Sequence, residues 1–234
     1  MAERDFQVAI CNLKIPSPTV AKYEAAGLDA EFEPGSRRRV LRNLLGITRA
    51  REIHEAESQF LVLAQEAALD LFGPNHRFTA EDIRTLHRLW LRPLYSWAGE
   101  YRHVNIGKGG FQFAHAPLIP RLMAELERGP LHRLTPCRPA DDKQAAQALA
   151  EVHAELVLVH PFRDGNGRLA RMLALLMAFQ AGLPPLDFGP FVGRGRRAYV
   201  AGIHAAMRRD YKQMTEMFER TIARSRRRAA SSVG

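Results

Sequence analysis

The sequence predicts a mainly helical domain carrying one small β-hairpin. Three observations lead there. Apolar residues recur three and four apart along most of the 234 residues. Glycines and prolines punctuate those runs where helices would stop. Only one stretch, residues 103–115, changes to the alternation of strands around a glycine turn. At 46% hydrophobic and 25% charged, the chain has the size and composition of a domain with its own core. Its longest uninterrupted apolar run, residues 172–179, spans eight residues. A bilayer span needs roughly 20, so a membrane helix is excluded.

Taken in order, residues 1–39, with Pro16, Pro18, Gly27, Pro34 and Gly35, read as an irregular arm. Residues 38–45 read as a short helix stopped by Gly46. In 49–72, Ile53, Ala56, Phe60, Leu63, Ala64, Ala67 and Leu71 line one helical face, and Gly73-Pro74 ends it. Thr79 is a good N-cap for a helix carrying Ile83, Leu86, Trp90 and Leu94, with Gly99 past its end and Pro93 expected to kink it. HVNI, GKGG and FQFAH then form the hairpin. Helical spacing resumes over 118–131 and over 140–159, where Ala145, Leu149, Val152, Leu156 and Val159 share a face. Residues 168–181 are apolar almost all round and should form the buried central helix, stopped by Gly182 and Pro184-Pro185. Two helices follow, 196–208 and, behind Asp210 as N-cap, 211–224. The domain is therefore expected over 40–224, with a disordered basic tail over 225–234.

The formal net charge of +9 is unevenly placed. From residue 190 onward there are 11 Lys/Arg against three Asp/Glu, whereas residues 1–189 are nearly neutral. The excess sits in Arg194, Arg196, Arg197 and the end tract RSRRRAASSVG. Such an end gives nonspecific, salt-sensitive contact with nucleic acid but no base readout, and the chain has no DNA-binding motif. The start, MAERDFQ, lacks a basic-then-apolar leader, and Cys11 and Cys137 make no redox or zinc spacing. A reducing cytoplasm is the expected compartment.

The chemistry concentrates in His160-Pro-Phe-Arg-Asp-Gly-Asn-Gly-Arg168, between an amphipathic helix and the buried one. Pro161 should end the first helix at His160. Gly165 and Gly167 tolerate positive φ and let backbone approach a ligand, and Asn166 tolerates the same geometry. The segment then presents backbone N–H donors at a helix start, an arrangement that binds phosphate. Arg168 and Arg171, three apart, can both reach toward one anion. Asp164 alone would repel phosphate, so a divalent cation such as Mg²⁺ is expected between the carboxylate and the phosphate oxygens. His160 is the one side chain of the loop able to accept a proton near neutral pH. Phe162 should point inward as an anchor. Each of these residues also has an ordinary use in turns and helix ends; their combination within 12 positions singles out the segment. His153 shares a helical face with His160 without any HExxH or Cys/His zinc spacing, and GKGG lacks the Walker A frame.

These residues resemble the Fic (Fido-fold) family, whose signature H-P-F-x-[D/E]-G-N-G-R-x-x-R is matched at every specified position from His160 to Arg171. The similarity extends through NLLGI (43–47), LYSWAGEYR (94–102), the hairpin around 106–113, Tyr199 and Asp210-Tyr211, about residues 40–222 in all. The resemblance implies an all-helical core with a hairpin flap, and transfer of AMP from ATP to a hydroxyl side chain of a target protein with release of pyrophosphate. It implies His160 as general base, Asp164 as the Mg²⁺ ligand, and Gly165, Asn166 and Gly167 as the anion hole. Arg168 and Arg171 would hold the phosphates, Tyr199 would join the nucleotide site, and Phe162 would fix the loop. Ile106, Lys108, Gly109, Gly110 and Phe111 would form the flap on which an extended target segment docks. A phosphate-transferring relative has Ala and Lys in place of Gly165 and Gly167, which favours nucleotidyl transfer here. A phosphotransferase, another nucleotidyl transferase, or a noncatalytic nucleic-acid-binding module using the basic tail remain the alternatives. Many relatives carry an inhibitory helix [S/T]xxxE[G/N]. The three [S/T]xxxE matches, ending at Glu52, Glu100 and Glu219, are followed by Ile53, Tyr101 and Arg220. Restraint of a toxin-like activity is therefore expected from a separate small antitoxin-like protein, or not at all.

Overall fold

The computed structural model describes residues 24–26, 31–108 and 111–231; expectations placed on the other residues, Gly109 and Gly110 among them, lie outside these. Strand β1 (Glu24–Ala26) is followed by helices α1 (Ala50–Leu71) and α2 (Ala80–Leu91). Strands β2 (Asn105–Lys108) and β3 (Phe111–Gln112) form the hairpin. Helices α3 (Ile119–Leu126), α4 (Asp142–Val159), α5 (Asn166–Gln180), α6 (Arg196–Ala206) and α7 (Lys212–Ser231) complete the chain. Among the described residues no helix is long and apolar enough to cross a membrane.

Helix α5 is the axis of the core. Leu169, Met172, Leu173, Leu176 and Met177 on it are all buried, each side chain contributing on the order of 2 kcal/mol. Helices α1 and α2 pack on each other and on α5; α4 packs on α5, α6 and α7; α3 joins α2 to α4. The ends of α1, α4 and α5 fall within two residues of the sequence expectation, because Gly73-Pro74, Pro161 and Gly182 act locally. At α2 the expected cap is present: Thr79 Oγ1 accepts from the Asp82 N–H (3.1 Å) and Asp82 returns a carboxylate to the Thr79 N–H (2.8 Å), a box worth about 1 kcal/mol.

Five expectations change. Helix α1 turns inward the face of Ile53, Glu57, Leu61, Ala64 and Ala68, so that Leu63, Ala67 and Leu71 of the expected stripe are exposed. Residues 38–45 are turns, not a helix. Gly35, Arg37 and Arg38 all have positive φ, and the Asn43 side chain bonds the N–H groups of Leu45 and Ile47 and the carbonyls of Leu41 and Ile47, replacing helical bonds with local ones. Pro93 does not kink α2 but ends it: the N–H groups of Leu94 and Tyr95 both turn back to the Leu91 carbonyl. The arm is not irregular throughout, since β1 pairs antiparallel with β2 (Ala25 opposite Ile106) and gives the sheet order β1-β2-β3. The tail is not disordered over 225–231. Helix α7 continues there because Asp187 Oδ2 holds Arg224 (2.6 Å) and Arg228 (2.5 Å), Asp142 holds Arg226 (2.7 Å), and Ser225 is buried.

Candidate active site

The loop from His160 to Gly165 joins α4 to α5 and is fastened from four sides. Its first residue takes the left-handed conformation (φ 52°, ψ 57°) while its N–H still bonds the Leu156 carbonyl. That geometry costs a non-glycine residue about 1 kcal/mol. It is held because the His160 carbonyl accepts from Arg102 Nε (2.8 Å) and because Nδ1 donates to the Val157 carbonyl (2.9 Å). A proton on Nδ1 leaves the lone pair on Nε2. Burial lowers the imidazole pKa from 6.5 to about 3, so the ring is neutral with its acceptor lone pair at Nε2. The ring of Phe113, just past β3, lies stacked on it at 3.6 Å between centroids.

Phe162 points inward. Its ring is fully buried and stacks on His87 at 3.9 Å. The Asn166 side chain accepts from the Phe162 N–H (2.9 Å) and donates to the Phe162 carbonyl (2.8 Å). The Asn166 amide group thus closes the loop on itself, while its backbone N–H, with those of Gly167 and Arg168, lies in the first turn of α5, where N–H groups have no intrahelical acceptor.

The two glycines differ. Gly165 has φ +84°, and a Cβ there would stand 2.7 Å from the Trp90 ring; at Gly167 the nearest such contact is Arg171 Nη1 at 3.9 Å. Gly165 is required by shape, whereas Gly167 leaves room beside the helix start.

The arginines also divide. Arg168 and Arg171 are both buried, but Arg168 Nη1 donates to Glu57 Oε2 (2.7 Å), its guanidinium lies 4.5 Å over Trp90, and its Nη2 stands 4.0 Å from Asp164 Oδ1. The expectation that both arginines reach for one anion is modified to that extent, because a buried cation of this kind needs a carboxylate nearby. Arg171 supplies positive potential toward His153, Tyr199 and Lys108. Tyr199 bonds His153 Nε2 (3.0 Å) through its hydroxyl and packs on Phe191. His153 is fixed in that contact as a neutral ring, its pKa lowered to about 3 chiefly by burial.

From the flap, Ile106 enters the core and Phe111 stacks on His204 of α6 (4.8 Å). Burial lowers the Lys108 pKa, opposed by the charge of Asp164 and assisted by Arg196, Arg168 and Arg171. The flap lysine therefore lies within electrostatic reach of the loop.

Asp164 is a lone carboxylate, its side chain 34% exposed, and among the described residues no group of three or more His, Cys, Asp or Glu gathers around a metal position. That donor set fits Mg²⁺, which keeps waters and takes one or two carboxylates together with substrate phosphates. It does not fit zinc.

Three residues of this frame were not singled out by sequence reasoning. His87 accepts the Gly99 N–H at Nδ1 (2.8 Å), so its Nε2–H donates to the Asp164 carbonyl (3.1 Å); burial lowers its pKa to about 4. Arg102 donates to the carbonyls of His160, Val104 and Ala114, and its N–H bonds the Pro161 carbonyl. Glu57 holds Arg168. The available signal was the same for His87 and Glu57: an ionisable residue set on the apolar face of a helix.

The Fic/DOC family model matches residues 77–178. The chain is 30% identical over 161 residues to protein adenylyltransferase VbhT of Bartonella schoenbuchensis, covering 69% of this chain and 33% of VbhT. It is 33% identical to the probable protein adenylyltransferase y4lH of Sinorhizobium fredii, covering 61% of this chain and 72% of that protein. Among solved structures, the N-terminal Fic domain of a Bartonella quintana effector with bound ADP superposes with a TM-score of 0.64 at 27% identity, covering 81% of this chain and 92% of that one. Fold, loop and relatives agree: the chain belongs to the Fic/DOC family, among its protein adenylyltransferases.

Proposed function

We propose that the chain transfers AMP from ATP to a Ser, Thr or Tyr hydroxyl of a target protein and releases pyrophosphate. The observation that carries this reading is the state of His160: neutral, with Nδ1–H tied to Val157 and the lone pair on Nε2, beside the N-terminus of α5. His160 Nε2 takes the proton of the acceptor hydroxyl as its oxygen attacks the α-phosphorus. The bond from the α-phosphorus to the bridging oxygen breaks, and pyrophosphate leaves with that electron pair. The N–H groups of Asn166, Gly167 and Arg168 receive phosphate oxygens, as helix N-termini do. Arg171 and Lys108 add positive charge, and Tyr199 borders the nucleotide through His153. Bound at Asp164, Mg²⁺ would neutralise charge on the phosphates.

Two further parts belong to the reading. An extended target segment adds to the edge of β3 that no other described strand pairs with, since β1 occupies the other edge of β2 and Phe113 leads from β3 to His160. A separate small protein restrains the activity by offering Arg171 a carboxylate. Of the chain's own candidates, Glu52 pairs with Arg49 and Glu100 with Arg84. The Glu52→Gly and Glu219→Gly variants should show parental auto-adenylylation; a many-fold rise in either would place the restraint in this chain.

The test is the purified chain with lysate and ATP labelled at either the α- or the γ-phosphate. Label retained on protein from the α-position alone is the expected result. Label from the γ-position would make the chain a phosphotransferase, and no transfer would favour a binding module.

A further inference from the structure

Glu57 lies on α1, 111 residues before Arg168, and is 3% exposed. A buried carboxylate is costly unless paired, and this residue has three connections, two of them to the carboxylate. Oε1 accepts from the Tyr95 hydroxyl (2.6 Å), Oε2 accepts from Arg168 Nη1 (2.7 Å), and its backbone carbonyl accepts from Trp90 Nε1 (2.8 Å). Trp90 in turn lies under the Arg168 guanidinium and against the Cβ position of Gly165. The guanidinium is thereby confined to a plane with a carboxylate at either side, Glu57 at 2.7 Å and Asp164 at 4.0 Å.

We infer that Glu57 is a positioning residue for the metal ligand: by holding Arg168, it keeps that guanidinium from closing on Asp164 and so leaves the Asp164 carboxylate for Mg²⁺. The physical reason is competition. A buried guanidinium needs an anionic partner, and a cation paired with Asp164 would lower its value to a metal ion. With Glu57 in place the Arg168 charge is already balanced; without it, Asp164 is the next carboxylate on the same guanidinium. The inference rests on the proposed role of Asp164 in the transfer reaction.

The test is calorimetric titration of ATP into the full chain at a series of Mg²⁺ concentrations, read as the Mg²⁺ concentration giving half-maximal ATP affinity. Glu57→Gln keeps the size and a hydrogen bond to Tyr95 but loses the charge, and should raise that concentration about tenfold. Adding Arg168→Met removes the competing cation and should bring it back to within about threefold of the parent. Tyr95→Phe touches the same carboxylate without changing its charge and should leave the Mg²⁺ dependence unshifted, which a general loosening of the core would not do. An unshifted Glu57→Gln, or a double variant no better than the single one, overturns the inference. If Glu57→Gln does not fold, the double variant alone decides, because a tenfold rise there contradicts competition by Arg168. A parent whose ATP affinity ignores Mg²⁺ sinks the assignment of Asp164 along with it, whereas a Mg²⁺-dependent parent with an unshifted Glu57→Gln sinks only the role of Glu57.

Discussion

The loop and the flap meet at His160 but are built in opposite ways. Loop residues 160–166 are fixed by partners from α2 and the segment after it: Arg102 on the His160 and Pro161 carbonyls, His87 on Phe162 and Asp164, Trp90 against Gly165. The flap has strands of four and two residues and reaches the rest of the site largely through ring faces, Phe113 on His160 and Phe111 on His204. In the proposed reaction the base and the anion-binding turn need sub-ångström placement, which packed side chains and buried hydrogen bonds supply. Receiving different target segments needs an open strand edge instead. Arg102 links the two, since it also bonds the Val104 and Ala114 carbonyls on either side of the hairpin.

The largest difference between these regions should be exposed by acid. His87, His153 and His160 have pKa values lowered from 6.5 to about 4, 3 and 3 by burial. The unfolded chain therefore binds more protons than the folded one between pH 6.5 and those values. Stability is complete above pH 6.5 and falls as pH drops through this window, by about 2 kcal/mol per ring at pH 5. Denaturant unfolding at pH 8 and pH 5 measures the sum, about 6 kcal/mol; a pH-independent midpoint would show that the rings are not held neutral.

Next in size is Gly165→Ala. Positive φ and the 2.7 Å approach to Trp90 together should cost about 3 kcal/mol, with transfer lost, while Gly167→Ala should melt within about 1 kcal/mol of the parent. Equal melting of the two variants would mean that the loop yields at Gly165 as readily as at Gly167. Removing residues 225–234 should cost less, about 2 kcal/mol, through the buried Ser225 and the partly exposed pairs of Arg226 and Arg228. A disordered tail would cost nothing, so an unchanged melting temperature contradicts the continued helix. Phe113→Ala should affect stability least, yet it uncovers His160, whose titration followed by NMR should move up toward the ordinary histidine value. An unmoved titration would show that the flap ring does not shield the base.

What the sequence revealed follows from how far each cause lies along the chain. Helices α4 and α5 were legible because their stripes and stop residues are local, α1 only in its bounds, and the loop was legible because its histidine, carboxylate, glycines and arginines are contiguous. Its frame was not: Glu57, His87 and Arg102 reach the loop across 111, 77 and 58 residues. The same holds at the C-terminus, where Asp142 and Asp187 extend α7 from 84 and 41 residues away. The turn at 38–45 was missed for a local reason, a single Asn43 side chain that outbids the helix for backbone groups.

The division of labour inside the loop is open to one direct measurement: ATP affinity by calorimetry alongside label transfer from the α-phosphate, in the parent and in His160→Ala. In the proposed reaction His160 handles the acceptor proton while the α5 amides and Arg171 hold the nucleotide, so the variant should lose transfer and keep Mg²⁺-ATP affinity within a few-fold. A variant that still transfers AMP, or one that has lost ATP along with activity, would contradict His160 as the base.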